Sequence, residues 1–148
     1  PVSVVGNVGP NFQAHWLKMS EWQTARDIYN IQVKTLDGTG PELLFTVMLS
    51  GCAIAIRDNG GGSIDIAHIR PNADMPGTHD DAMLDGAETH RVLGLAGWTT
   101  VYGRGNYAHN RKIAIVGVRQ AGVWHVYAQK QEMSMMGAGN IRKVKRII

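Results

Sequence analysis

Residues 43–69 read LLFTVMLSGCAIAIRDNGGGSIDIAHI, and the pattern within this stretch decides the fold class. Leu43 to Leu49 is apolar on both parities, as a strand buried on both faces should be. Ser50-Gly51 breaks it. A strand from Cys52 to Arg57 then carries Cys52, Ile54 and Ile56 on one parity. Asn59-Gly60-Gly61-Gly62 supplies residues that tolerate positive φ, which a tight hairpin needs. A return strand, Ser63 to Ile69, is ended by Pro71 and holds Ile64, Ile66 and His68 on one parity.

The same signals extend outward. Lys112 to Arg119 alternates, Gln120-Ala121-Gly122 turns, and Val123 to Lys130 returns as a second hairpin. Ile31 and Val33 suggest a strand ended by Asp37-Gly38-Thr39-Gly40-Pro41. A basic strand closes the chain after a Met- and Gly-containing link at 133–139. Two short helices are expected. One is capped by Ser20 with Glu21 in its first turn and runs through Tyr29, and the other spans Ala87 to Leu95. Residues 72–98 read as a long surface excursion. Seven or eight strands joined mostly as hairpins predict an α+β fold, a mainly antiparallel β-sandwich with one or two short helices. The first ten residues, PVSVVGNVGP, read as an irregular lead-in without the basic-then-apolar build of a signal peptide.

The chain has 148 residues, 44 % of them apolar and 18 % charged, which suits one globular domain over residues 1–148, or a fragment of a larger protein. No apolar run approaches the ~20 residues of a membrane span. The net charge of +3 gathers in Arg142, Lys143, Lys145 and Arg146. With no aromatics between those charges and no recognised motif, the sequence favours a solvated strand over a nucleic-acid surface.

Cys52 is the single cysteine, which excludes an internal disulfide and a Cys-rich zinc site. It is either a buried small hydrophobe or a reactive thiol. Adjacent antiparallel strands of matching parity bring Cys52 and His68 to one sheet face. A His within hydrogen-bond reach activates a thiol as a thiolate–imidazolium pair, and Gly51 permits unusual backbone where N–H groups must face an oxyanion. Two core residues of neighbouring strands would show the same spacing, so both readings stand at this point.

The other candidates are weaker. His79, Asp80, Asp81 and His90 fit no metal-ligand spacing. His125 has the setting of a packed strand residue that could border a site. Gly103-Arg104-Gly105 is too short for a phosphate loop, and Ser50 lacks the glycine pattern of a nucleophile elbow. No metal or cofactor is expected.

Leu49-Ser50-Gly51-Cys52, a following hairpin and then His68 resemble the catalytic domain of the cytotoxic necrotizing factors. They are also similar to the sites of the Burkholderia lethal factor and of the chemoreceptor glutamine deamidase. The likeness covers residues 43–70. It implies a β-sandwich-based protein-glutamine deamidase with Cys52 as nucleophile, His68 as its partner and backbone at Ser50 and Gly51 near the oxyanion. It also implies that Thr46, six positions before the cysteine, orients His68. The resemblance further implies a secreted bacterial effector or toxin, a hydrolase acting in the cytosol of a target cell. Its partner would be a protein with an exposed glutamine, such as a small GTPase or a translation factor, and a monomer is expected. Three alternatives share these residues: a transglutaminase, a cysteine peptidase, and a non-catalytic β-sandwich interaction or targeting module.

Overall fold

The computed structural model describes residues 12–22, 32–71, 98, 100–103, 106, 107, 112–132 and 140–148. They form ten strands: β1 His15–Leu17, β2 Met19–Trp22, β3 Lys34–Leu36, β4 Leu43–Thr46, β5 Ala53–Gly60, β6 Ser63–Pro71, β7 Thr100–Tyr102, β8 Lys112–Gln120, β9 Val123–Glu132 and β10 Asn140–Arg146. One sheet has the order β1-β4-β8-β9-β10. The other has the order β2-β6-β5-β7, with β3 also on β6. β2 and β3 share one edge of β6 end to end, β2 against His68–Pro71 and β3 against Ile64–Ile66.

The sheets are mixed. β1 runs parallel to β4 and β2 parallel to β6, while the other pairs are antiparallel. Both parallel pairs arise at one place. Leu17 ends β1 in the first sheet, Lys18 crosses, and Met19 begins β2 in the second.

The hairpins sit where the glycines allow them. Gly61 and Gly62 turn β5 into β6 at φ of 61° and 81°, and Ala121-Gly122 turn β8 into β9 at 49° and 78°. Positive φ at both central residues gives a turn whose twist matches the strands. The two tips touch, since a Cβ on Gly62 would stand 2.2 Å from the Gly122 carbonyl oxygen.

Residues from both sheets make one apolar cluster. Leu17, Leu44, Ile113, Ile115 and Trp124 come from the first sheet, and Leu36, Ile54, Ile56 and Ile66 from the second. Burying each of these large side chains stabilises the fold by roughly 1.5–3 kcal/mol. β8 shows the alternation directly, with Ile113 and Ile115 buried between half-buried neighbours. The second sheet is buried on its other face too. There Ala55 and Ala67 are fully covered, and the Arg57 guanidinium lies 5.3 Å above the ring of buried Trp98 while pairing with Asp65.

The Ser20 helix is a correction. Met19–Trp22 is strand, and the Ser20 hydroxyl accepts a hydrogen bond from the Gln32 amide at 2.9 Å instead of capping a first turn. A capping residue is only a local preference, and the backbone partners offered along β6 outweigh it. Residues 23–31, the rest of that helix, and the Ala87–Leu95 helix lie outside the described residues. No α-helix occurs among the described residues.

Candidate active site

The chain reaches the candidate site by two crossings between the sheets. After β4, Leu49 is pinned to β8 by reciprocal backbone hydrogen bonds with Ile113, 2.8 and 3.0 Å long. Ser50 and Gly51 carry the chain across, and Cys52 is the residue that begins the run into β5. The other crossing is Leu17-Lys18-Met19.

Register fixes the faces. Ile54 pairs with His68 and Ile56 with Ile66, so these side chains share the core-facing side of the second sheet. Cys52, two residues before Ile54 and part of the same cluster, is on that side, one pleat along and diagonal to His68. Met19 is the neighbour of His68 on its other flank, and the Cys52 thiol donates to the Met19 sulfur at 3.8 Å. Cys52 is 6 % exposed and His68 0 %.

Thr46 comes from the opposite sheet. Its hydroxyl donates to the Leu17 carbonyl at 2.8 Å, and the same oxygen lies 2.6 Å from His68 Nδ1. A hydroxyl has one proton, so with that proton on Leu17 it must accept from Nδ1–H. The neutral imidazole is thereby set as the tautomer with its lone pair on Nε2. Burial pushes the His68 pKa down from 6.5 to about 4, so the ring is neutral near pH 7. His68 Nε2 is buried and makes no hydrogen bond among the described residues.

The protein matches no family model and no curated sequence.

Thr46 and His68 are thus in contact, and Cys52 shares their side of the second sheet without a hydrogen bond to His68 Nε2. A thiolate–imidazolium pair would require His68 to gain a proton that its burial disfavours. Ser50 is exposed and Gly51 half-buried beside the thiol.

Tyr107 is a member that sequence reasoning missed. Its hydroxyl donates to the Cys52 carbonyl at 2.6 Å. Among the described residues β7 pairs with β5 over Ile54–Ile56. Ahead of Tyr107, Asn106 N–H donates to the Gly103 carbonyl at 2.8 Å and Gly103 N–H donates to Asn106 Oδ1 at 2.9 Å. The Tyr107 ring stacks on Tyr102, with centroids 6.0 Å apart and planes at 22°. The signal in the sequence was an aromatic directly after a Gly- and Asn-marked turn, though nothing local says what it touches.

His125 does not border the site. It lies between buried Trp124 and Val126 on the opposite parity, facing outward, with Nδ1 2.7 Å from Arg146 Nη2. His79, Asp80, Asp81 and His90 lie outside the described residues. Among the described residues no group of three or more His, Cys, Asp or Glu could hold a metal ion, and no helix is long and apolar enough to cross a membrane.

Proposed function

We propose that this protein is a thiol amidohydrolase that converts a glutamine side chain of a target protein to glutamate, with Cys52 as nucleophile and His68 as general base. The observation that carries the reading is the 2.6 Å contact between Thr46 and His68 Nδ1. It leaves Nε2 as the basic nitrogen, unpaired among the described residues, on the face that also holds Cys52. A buried acceptor left without a partner costs about 1–3 kcal/mol, which favours a role for it in chemistry over a packing role.

The reaction follows from those groups. Rotation about the Cys52 Cα–Cβ bond takes the thiol from Met19 toward His68, and Nε2 receives its proton. The sulfur attacks the carboxamide carbon, a C–S bond forms, and the carbonyl electron pair moves to oxygen. Collapse breaks the C–N bond, and His68 returns its proton to the departing ammonia. Water then attacks the thioester as Nε2 takes a proton from it, the C–S bond breaks, and glutamate and the thiol are released. Backbone N–H groups at Gly51 and Cys52 would face the oxyanion. An amine arriving in place of water would give transglutamination.

In this reading the two sheets face each other as a β-sandwich, with the site between them at the end where the chain crosses. The reading carries over the likeness of residues 43–70 to the bacterial glutamine deamidase toxins, and with it a secreted effector that works in the target-cell cytosol. A second reading, a non-catalytic interaction module, is favoured by the burial of Cys52 at 6 % exposure. The test is a lysate of eukaryotic cells incubated with wild-type protein or with Cys52→Ser, followed by peptide mapping for Gln-to-Glu conversion. Conversion that requires Cys52 supports the enzyme. Identical maps from the two proteins leave the interaction module.

A further inference from the structure

Two buried polar atoms on strands of the second sheet have no hydrogen-bond partner among the described residues: His68 Nε2, which has been given a task, and the Tyr102 hydroxyl, which has not. Tyr102 is 3 % exposed and belongs to the same apolar cluster as Cys52. Its position is fixed by pairing, because Ile54 stands opposite His68 on one side and opposite Tyr102 on the other. His68, Ile54 and Tyr102 therefore form one row on the core-facing side. With strands about 4.8 Å apart, the outer two α-carbons are separated by roughly 10 Å. Tyr102 stacks on Tyr107, whose hydroxyl holds the Cys52 carbonyl, so both tyrosines adjoin the residue that bears the thiol.

We infer that the Tyr102 hydroxyl receives the carboxamide oxygen of the substrate and donates to it as charge develops there. This rests on the Cys52–His68 reading above. The Tyr102 ring has Tyr107 and, 5.9 Å from its centroid, Lys145 Nζ beside it, but its hydroxyl makes no hydrogen bond among the described residues and is free to donate, and burial raises its pKa, which keeps the proton on it. A primary carboxamide offers the matching acceptor, and its –NH2 offers donors to His68 Nε2 across the same row. Attack by sulfur concentrates negative charge on the carboxamide oxygen, so a donor already in place acts more strongly on the transition state than on the bound amide. Among the described residues no other hydroxyl is both buried and without a hydrogen-bond partner.

Alkylation of Cys52 tests this without knowledge of the target protein. Iodoacetamide carries a primary carboxamide, whereas methyl methanethiolsulfonate carries none. The ratio of the two rates for wild-type protein, divided by the same ratio for glutathione, is expected to exceed about five. In Tyr102→Phe the normalised ratio is expected to fall to near one, with the methanethiolsulfonate rate changed less than twofold. The phenylalanine variant should melt at or above the wild-type temperature, since it removes an unpartnered hydroxyl. A wild-type ratio equal to that of glutathione, an unchanged ratio in Tyr102→Phe, or a clearly lower melting temperature for that variant overturns the inference while leaving Cys52–His68 catalysis standing. Failure of both reagents to label wild-type Cys52 overturns both.

Discussion

Thr46 and His68 sit on different sheets and meet side chain to side chain at 2.6 Å, with Thr46 also bonded to Leu17. One hydroxyl therefore ties together the end of β1, the end of β4 and the middle of β6. It also selects which imidazole nitrogen keeps its lone pair. The contact is a brace between the sheets and, in the proposed mechanism, the device that prepares a base.

Replacing Thr46 separates those roles. Thr46→Val keeps the shape but leaves both the Leu17 carbonyl and His68 Nδ1–H without their partner. The expected cost is about 1–3 kcal/mol of stability, read by chemical denaturation, and a ten-fold or greater loss of kcat. Thr46→Ser restores the hydroxyl and is expected to recover most of kcat. A serine variant as inactive as the valine one would remove the hydroxyl from the account.

The His68 environment sets a pH dependence with a definite sign. Its folded pKa, about 4, lies below the ordinary 6.5, so between those values the unfolded chain holds the extra proton. The stabilisation is complete above pH 6.5 and is lost as pH falls toward 4, a difference on the order of 3 kcal/mol. Denaturation of wild type at several pH values across this window, compared with non-titrating His68→Gln, is expected to show a shallower slope in the variant. Parallel slopes would mean that His68 is not held neutral by the fold.

Tyr107→Phe keeps the ring that stacks on Tyr102 and removes the bond to the Cys52 carbonyl. The backbone that bears Cys52, the proposed nucleophile, then loses one of its restraints. A several-fold fall in kcat with KM little changed is expected, together with a loss of about 1 kcal/mol in stability. A change confined to KM would place Tyr107 at the substrate instead of behind the thiol.

The parts that could be read from the sequence are those where local chemistry and pairing agree. Gly60-Gly61-Gly62 and Ala121-Gly122 mark turns, the flanking residues alternate, and the hairpin register then puts Cys52 and His68 on one parity. The three-residue strands β1 and β7 were not legible, since so short a run cannot display a period. Ser20 misled because a good helix cap is also a good hydroxyl acceptor for a distant amide, here that of Gln32. The parallel pairs β1–β4 and β2–β6 depend on a crossing at Lys18 that no turn residue announces. Thr46 entered the sequence reading through the family likeness alone, because its contact spans two sheets. Tyr107 reaches Cys52 across 55 residues, which leaves no mark on either neighbourhood.

The central claim is that Cys52 hydrolyses a side-chain amide and leaves the backbone whole. The direct measurement is to incubate a lysate with the protein in water enriched in oxygen-18 and map the altered peptides by mass spectrometry. The expected result is a target of unchanged length in which one glutamine has become glutamate with one heavy oxygen, and in which Cys52→Ser, folded as judged by its melting curve, leaves that glutamine intact. New chain termini that depend on Cys52, or the same labelled glutamate appearing with Cys52→Ser, would contradict it.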